Sequence, residues 1–322
     1  MAIAPYASRS ILPLALLILT GLLSAGFFAA AAPSDAAAHA APSAPQPGAE
    51  ADEQLPAVTA PAHEAAKRLA ELVASSDLVT AQRGQIPVIL VAPHGGLVRI
   101  PGVPDRKAGV TVTDTGTAEL ALLISQRVTA KLGGKPYLVV AQFVRKNADA
   151  NRPAAEAFEA DAARPHYEAF HAAARAAVDE CRTRFGGAIL IDVHGQARVP
   201  DAIVRGTRNG KTVSRLLERS GAEALTGPDS IPGRLAAAGY QILPVAEDGP
   251  AGEPAMGRET FFDGGFIVAS YGSHNANGVD AIQLEFGKMR RDDPIKLARD
   301  VGDAIAAFVR RYGPQKSDAV GK

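Results

Sequence analysis

The chain has 322 residues, enough for one large domain or two small ones, and its 34 basic and 34 acidic side chains give a formal net charge of zero. This balance offers no electrostatic basis for nucleic-acid binding, so we expect no nucleic-acid partner. A single cysteine, Cys181, excludes an internal disulfide, and its place in a helix-like stretch predicts a buried, unreactive thiol.

The N-terminal region has the composition of an export signal followed by a tether. In residues 1–32, Arg9 precedes a long uncharged apolar run, which predicts a signal peptide. An uncleaved anchor is the alternative, and it would be the only membrane contact. Residues 33–61 are rich in Ala and Pro, which predicts a disordered linker. The folded domain is expected at residues 62–314, and residues 315–322 are expected to form a flexible tail. Export without a disulfide predicts a periplasmic or cell-envelope protein.

The folded domain alternates strand-like and helix-like segments. Short apolar runs predict strands at Pro87–Ala92, Tyr137–Phe143, Ala188–Val193, Ala202–Arg205, Tyr240–Val245, Phe266–Ser270 and Val279–Phe286. Patterns typical of helices cover Ala62–Ala74, Thr117–Leu132, Ala154–Phe185, Thr212–Leu225, Ser230–Ala238 and Pro294–Arg311. This alternation predicts a three-layer α/β/α domain around a central mixed, mostly parallel sheet.

Two histidines follow predicted strands and precede glycine. His94 closes the run that begins at Pro87, and His194 closes the run that begins at Gly187. Ligand sites of open α/β sheets collect at the carboxyl ends of strands, so both imidazoles are expected at one edge of the sheet. A lone histidine is more often an ordinary loop or core residue, but the pair favours a metal site.

A hydrolytic zinc site needs a third protein ligand, commonly a carboxylate, and an open position for water. Position 97, where an HxxE motif would supply a glutamate, is Leu97. We prefer Asp114, in the loop before a predicted helix, with Glu119 as an alternative; Asp114 is equally explained as an acid at a helix start. Asp192 lies two residues before His194 and is either an outer partner of that imidazole or a direct ligand.

A polar loop follows the predicted strand Tyr137–Phe143. Arg145, Asn151 and Arg152 in this loop provide guanidinium and amide donors, which favour carboxylate binding. Most such charged runs are simply solvated loops. The position beside a predicted metal site favours an anion pocket here.

Two later segments carry further candidate residues. Gln283 and Glu285 project from one face of an otherwise apolar predicted strand, and a buried glutamate beside a metal suits a general base. The adjacent Gly264 and Gly265 permit close backbone approach to a substrate. Tyr271 is a candidate substrate donor, whereas His274 fits a loop histidine better than a third nitrogen ligand.

Taken in order, these motifs resemble the N-formylglutamate amidohydrolase family over about Pro87 to Arg291. The matching positions are Pro93-His94-Gly95-Gly96; Asp114, Thr117, Leu120 and Ala121; Arg145, Asp149, Asn151, Arg152 and Pro153; Asp192 and His194; Phe262, Gly264, Gly265 and Phe266; and Gln283 and Glu285. Each motif is short and weak by itself, but six motifs in the order of the family pattern are specific. Relatives often have His-Gly-Ser where this chain has Tyr271-Gly272-Ser273.

The resemblance implies a phosphorylase/hydrolase-like fold, similar to zinc carboxypeptidases, and a catalytic domain at residues 62–314. It implies one zinc ion held by two histidines and a carboxylate, assigned here to His94, Asp114 and His194. It also implies an Asn–Arg pair that grips a substrate carboxylate and a late glutamate that activates water.

The sequence therefore predicts an exported, zinc-dependent amidohydrolase that cleaves a C–N amide bond of a small, carboxylate-bearing, amide or peptide-like substrate. Glu285 is the expected base, and Arg145, or Arg152 with Asn151, steadies an oxyanion or anchors the carboxylate. Gly264, Gly265, Tyr271 and Gln283 are the other expected substrate contacts. Two alternatives are a carboxypeptidase or peptidoglycan-trimming amidase, and a non-catalytic solute- or metal-binding envelope protein.

Overall fold

The computed structural model describes residues 78–246 and 256–314. The predicted signal peptide (1–32), the linker (33–61), the predicted helix Ala62–Ala74 and the tail (315–322) lie outside the described residues. Within the described part of the chain, no helix combines the length and the apolar character needed to cross a membrane.

Within these residues, seven strands form one mixed sheet in the order β1-β3-β2-β4-β7-β5-β6. Their bounds are β1 Val79–Gln82, β2 Val88–Ala92, β3 Tyr137–Ala141, β4 Ile189–Gln196, β5 Ala202–Gly206, β6 Gln241–Leu243 and β7 Asp280–Gly287. The four central neighbours, β3, β2, β4 and β7, are mutually parallel. β1 runs antiparallel to β3, and β5 antiparallel to β7, so the two outer regions make the sheet mixed.

Helices cover both faces of the sheet. Their bounds are α1 Thr117–Leu132, α2 Ala154–Ala157, α3 Arg164–Phe185, α4 Ser214–Ser220, α5 Glu223–Thr226, α6 Ile231–Ala237, α7 Phe266–Tyr271 and α8 Pro294–Tyr312. In the described part of the chain, short 3₁₀ turns lie at Asp161–Ala163, Lys211–Val213 and Lys288–Asp292. One core cluster packs α1, α4, α5, α6 and α8 against the sheet, and a second packs α3 and α7 against the opposite face. The predicted three-layer α/β/α class is confirmed.

The two core clusters reflect the two-residue period of the strands. In β2, Val88 and Leu90 pack in the first cluster, whereas Ile89 and Val91 pack in the second. Because both faces of the sheet are covered, β2 is apolar at every position and forms a continuous aliphatic run. Cys181 is fully buried in the second cluster, as predicted.

The largest error of the element prediction is at Phe266–Ser270. This predicted strand is the first part of helix α7, because a five-residue apolar run has no period that separates a buried strand from a buried helix. The short edge strand β1 was not predicted. The long predicted helix Ala154–Phe185 is interrupted between α2 and α3, and Thr212–Leu225 is interrupted between α4 and α5.

A buried ion pair anchors the segment that precedes α7. Glu259 Oε1 accepts hydrogen bonds from Arg205 Nε at 2.9 Å and from the Thr207 hydroxyl at 2.7 Å. Its Oε2 accepts from the backbone N–H groups of Thr207 and Asn209 at 2.7 and 2.8 Å. Both side chains of the ion pair are almost fully buried, so the carboxylate depends on these donors in place of water. The network ties the chain around Glu259 to β5.

Removing this carboxylate is expected to destabilise the domain. Glu259→Ala leaves the Arg205 guanidinium buried without its counterion, which should lower the free energy of unfolding by about 3–5 kcal/mol in urea denaturation. The exposed Glu218→Ala is the matched control and should change it by less than about 0.5 kcal/mol. Equal effects of the two substitutions would contradict a stabilising role for the buried pair.

Candidate metal centre and active-site cleft

The carboxyl ends of three parallel strands bring the candidate residues together. His94 follows the end of β2, while His194 lies in β4 and Glu285 in β7. The register of β4 and β7 places His194 directly beside Glu285, and Asp192 beside Gln283. Since alternate strand residues share a face, these four side chains project to the same side of the sheet.

His94, Asp114 and His194 form a buried group whose possible ligand atoms all lie within 4.8 Å of one another. Asp114 Oδ2 lies 3.1 Å from Nδ1 of His194 and 3.4 Å from Nδ1 of His94. The loop that carries Asp114 is fixed locally, because its N–H donates to the His94 carbonyl at 3.0 Å and its carbonyl accepts from the Thr117 hydroxyl at 2.7 Å. The Gly195 N–H also donates to Asp114 Oδ2.

The outer nitrogen of each imidazole has its own polar neighbours. His94 Nε2 lies 2.7 Å from Asp149 Oδ1. Because an ionised carboxylate only accepts, this contact places the proton on Nε2 and leaves the Nδ1 lone pair free. His194 Nε2 lies 3.0 Å from Asp192 Oδ1 and 3.2 Å from Asn151 Nδ2. Both Asp192 oxygens are buried, and neither has a hydrogen-bond partner among the described residues.

Several features of this group fit a divalent cation. His94 Nδ1 is buried without a hydrogen-bond partner in the described part of the chain. Burial by itself would lower the pKa of His194, but the carboxylates of Asp192 and Asp114 raise it well above its usual range. Burial opposes ionisation of Asp114, yet its contacts with the two histidines hold its pKa well below the usual value. Negative charge that favours a proton here favours a metal ion in the same way.

The structure separates the three carboxylates considered as the third ligand. Asp114 lies in the group with the two histidines. Glu119 is exposed on α1 and is not brought to the cleft. Asp192 is buried but lies against the outer Nε2 of His194, the position of an outer partner.

A cleft of about 390 Å³ opens over the two histidines, large enough for a small-molecule substrate. Its walls include all but one of the residues predicted for the site, namely His94, Asp114, Arg145, Asn151, Arg152, His194, Gly264, Gly265, Gln283 and Glu285. Burial raises the pKa of Glu285 to about 7. Gln283 Nε2 donates to Glu285 Oε1 at 3.1 Å, and Gln283 Oε1 accepts from the Gly265 N–H at 2.7 Å.

The polar loop after β3 contains two kinds of donor side chain: those already hydrogen-bonded within the protein, and those available to a substrate. Arg145 Nε donates to Asp149 Oδ2 at 2.9 Å, and its NH1 lies 3.6 Å from Asp114 Oδ1. The Asn151 side chain is also engaged, since its Oδ1 accepts from the Ile267 N–H at 2.8 Å. A Cβ at Gly265 would overlap the Asn151 amide, so glycine is required there for this approach. Among the described residues, the Arg152 guanidinium donates to the Asn151 carbonyl alone.

Tyr271 is not in the cleft, and its prediction as a substrate contact is corrected. Its hydroxyl is buried against His171, with Nδ1 at 2.9 Å and the carbonyl at 3.1 Å. The physical reason is the helical conformation of Phe266–Tyr271, which turns this side chain into the packing between α7 and α3. His274 is an exposed loop residue, in agreement with its interpretation as such.

Sequence reasoning assigned no role to two residues that hold the site together. Asp149 joins His94 to Arg145, and its position in the polar loop after β3 was the available signal. Arg291 donates to the carbonyls of Thr115, Gln196 and Phe286, which adjoin the segments of Asp114, His194 and Glu285. No sequence pattern marks Arg291, because its three partners are far apart along the chain.

Residues 154–289 match the family model for N-formylglutamate amidohydrolase, less than half of the chain. The match includes His194, Gln283 and Glu285 but begins after His94, Asp114 and Arg145. No curated protein matches the chain.

The chain is also similar to several solved structures. An N-formylglutamate amidohydrolase from Ralstonia eutropha is 18% identical, with a TM-score of 0.51 over 73% of this chain and 99% of that chain. A gene product from Agrobacterium tumefaciens is 14% identical, with a TM-score of 0.46 over 74% and 96% of the two chains. A bacteriophage poly-gamma-glutamate hydrolase is 14% identical, with a TM-score of 0.36 over 73% and 88%. The family match confirms the resemblance and the prediction of an amidohydrolase, and the Ralstonia eutropha structure confirms the fold.

Metal binding by the chain should depend on Asp114 and be insensitive to Glu119. Asp114→Asn should weaken zinc binding by more than the roughly 10–100-fold typical of an outer-shell change, as measured by calorimetry and metal analysis. Glu119→Gln removes an acid five residues away on exposed helix surface and should bind zinc as the unsubstituted chain does. The opposite ranking of the two variants would reject Asp114 as the ligand.

Proposed function

We propose that this amidohydrolase holds one zinc ion through His94, Asp114 and His194 and cleaves a C–N amide bond of a small, carboxylate-bearing substrate. The observation that carries the proposal is the register of β4 and β7, which sets a buried Glu285 directly beside His194 in one cleft. Two imidazoles and a carboxylate that leave one position open are the donor set of hydrolytic zinc sites.

When bound, the ion would polarise the amide carbonyl and lower the pKa of water. The side chains that surround it have separate tasks. Asp149 keeps the His94 proton on Nε2, so that Nδ1 faces the ligand group with its lone pair. The Gly195 N–H orients the Asp114 carboxylate toward the two histidines.

Glu285 is the proposed base. Its carboxylate takes a proton from the attacking water and passes it to the departing nitrogen of the substrate. A pKa of about 7 lets the same group hold and release a proton near neutral pH, although a cation beside it favours the ionised form. Gln283 orients the carboxylate by donating to Oε1, which supports a fixed position for proton transfer.

Arg152 is the proposed anchor for the substrate carboxylate. It lines the cleft and has no ion pair among the described residues. Arg145 is already paired with Asp149, so its guanidinium is better suited to steady a developing oxyanion at the edge of the cleft. Asn151 contacts His194 and the backbone of α7, so in this proposal it positions the cleft more than it binds substrate.

Replacing the base should remove activity and spare the metal site. Glu285→Gln keeps the size of the side chain but cannot take a proton, so we expect kcat for hydrolysis of an N-formyl amino acid to fall by about 10²–10⁴-fold. Zinc content should be unchanged, and Glu119→Gln should keep full activity. Undiminished hydrolysis by the Glu285→Gln enzyme would overturn this mechanism, and zinc binding without any turnover by the unsubstituted chain would favour a binding protein.

We also propose that the chain is exported to the periplasm or cell envelope. The support is the sequence of residues 1–32, in which Arg9 precedes an uncharged apolar run. Cell fractionation of the full chain and of a version that begins at residue 33 tests this. The full chain should be found in the periplasmic or envelope fraction and the shortened chain in the cytoplasm; the same cytoplasmic location for both would reject export.

A further inference from the structure

One wall of the cleft is apolar and open to solvent. Val110 and Val112 line the cleft with exposed fractions of 49% and 72%, and we call this pair the valine wall. Apolar side chains exposed at the mouth of a concave site gain free energy when a ligand removes them from water. The wall adjoins the arginine proposed to steady the oxyanion, because Arg145 NH1 donates to the Val112 carbonyl at 3.5 Å.

The backbone of the valine wall is held in place before any ligand binds. Arg106 is buried, and its guanidinium donates to the carbonyl of Val110 at 2.7 Å and of Ala108 at 3.2 Å. The same guanidinium also donates to the Arg145 carbonyl. On the other side, Glu159 Oε1 accepts from the N–H groups of Lys107 and Ala108 at 2.6 and 2.9 Å. The exposure of the two valines is thus a feature of an ordered segment.

The charges of the cleft suit a single substrate carboxylate. The described residues that line it include two arginines, Arg145 and Arg152, and no lysine. Arg145 is neutralised by Asp149 at 2.9 Å and lies 3.6 Å from Asp114. Of the two arginines that line the cleft, Arg152 is therefore the one without an acidic partner among the described residues. A second carboxylate on the substrate would meet the acids of the cleft, Asp263 and Glu285 among them, without a free cation to compensate it.

Resting on the proposed function, we infer that the substrate is an N-acylated amino acid with an apolar side chain and one carboxylate. The carboxylate binds at Arg152, and the apolar side chain packs on the valine wall. An N-acylated glutamate, which carries two carboxylates, fits the cleft less well because its second carboxylate has no counterion there. This assigns the valine wall a role in substrate specificity.

The test compares N-formyl-leucine with N-formyl-glutamate on the purified, zinc-loaded full chain. We expect kcat/KM to be at least about tenfold higher for N-formyl-leucine, the scale on which apolar pockets discriminate. N-formyl-leucine amide, which lacks the carboxylate, should be a poorer substrate than N-formyl-leucine. An equal or higher kcat/KM for N-formyl-glutamate would overturn the inference while leaving the proposed hydrolysis intact.

A binding measurement separates this inference from the proposed chemistry. Calorimetry with zinc-loaded Glu285→Gln should show tighter binding of N-formyl-leucine than of N-formyl-glutamate, independent of turnover. If this preference is found but the unsubstituted enzyme hydrolyses neither compound, the ligand class is supported and the proposed hydrolysis fails. Absence of binding by both compounds overturns the inference.

A substitution in the valine wall, compared with a matched control on distant surface, tests the role of the wall in substrate recognition. Val112→Lys places a cation on highly exposed surface, so folding should be unaffected, and the ratio of kcat/KM for N-formyl-leucine over N-formyl-glutamate should fall at least about tenfold. Leu122→Lys introduces the same cation on exposed helix surface away from the cleft and should leave the ratio unchanged. An unchanged ratio in Val112→Lys would remove the valine wall from substrate recognition.

Discussion

The parallel pairing of β2, β4 and β7 is the constraint on which the site depends. Parallel strands end at the same edge of a sheet, so residues that are about a hundred positions apart along the chain emerge side by side. The register that pairs His194 with Glu285 is essential to the site, because a shift of β7 by one residue would turn the Glu285 side chain to the opposite face of the sheet. Continuous aliphatic contacts on both faces of these strands hold the register.

This strand register brings several acidic side chains together in the protein interior, around the two histidines. Asp114, Asp149, Asp192 and Glu285 are all buried near the two histidines. Burying so much negative charge is costly unless cations or hydrogen bonds compensate it. Arg145 compensates Asp149, while Asp114 and Asp192 lie against the two histidines. A divalent cation bound as proposed would compensate this negative charge.

Residue patterns identified most of the site because its chemistry uses polar side chains at the ends of apolar strands. His94, His194 and the Gln283–Glu285 pair stand out from aliphatic surroundings, and the structure places all four in one cleft. Tyr271 illustrates the limit of this reasoning. A short apolar run is compatible with a strand or a helix, and the helical conformation buries the tyrosine against His171. The valine wall had no signal in the sequence, because exposure is a property of the folded chain.

The sequence by itself determined the fold class, the two histidines, the candidate base and the polar loop, since local periodicity and strand-end residues are encoded over a few neighbouring positions. Only the tertiary structure decided which carboxylate joins the histidines. Asp114 and Glu119 are five residues apart, but the loop bonded to His94 turns Asp114 inward while α1 turns Glu119 to solvent. Asp149, Arg291 and the valine wall likewise acquire their roles from contacts between distant segments, which no local pattern records.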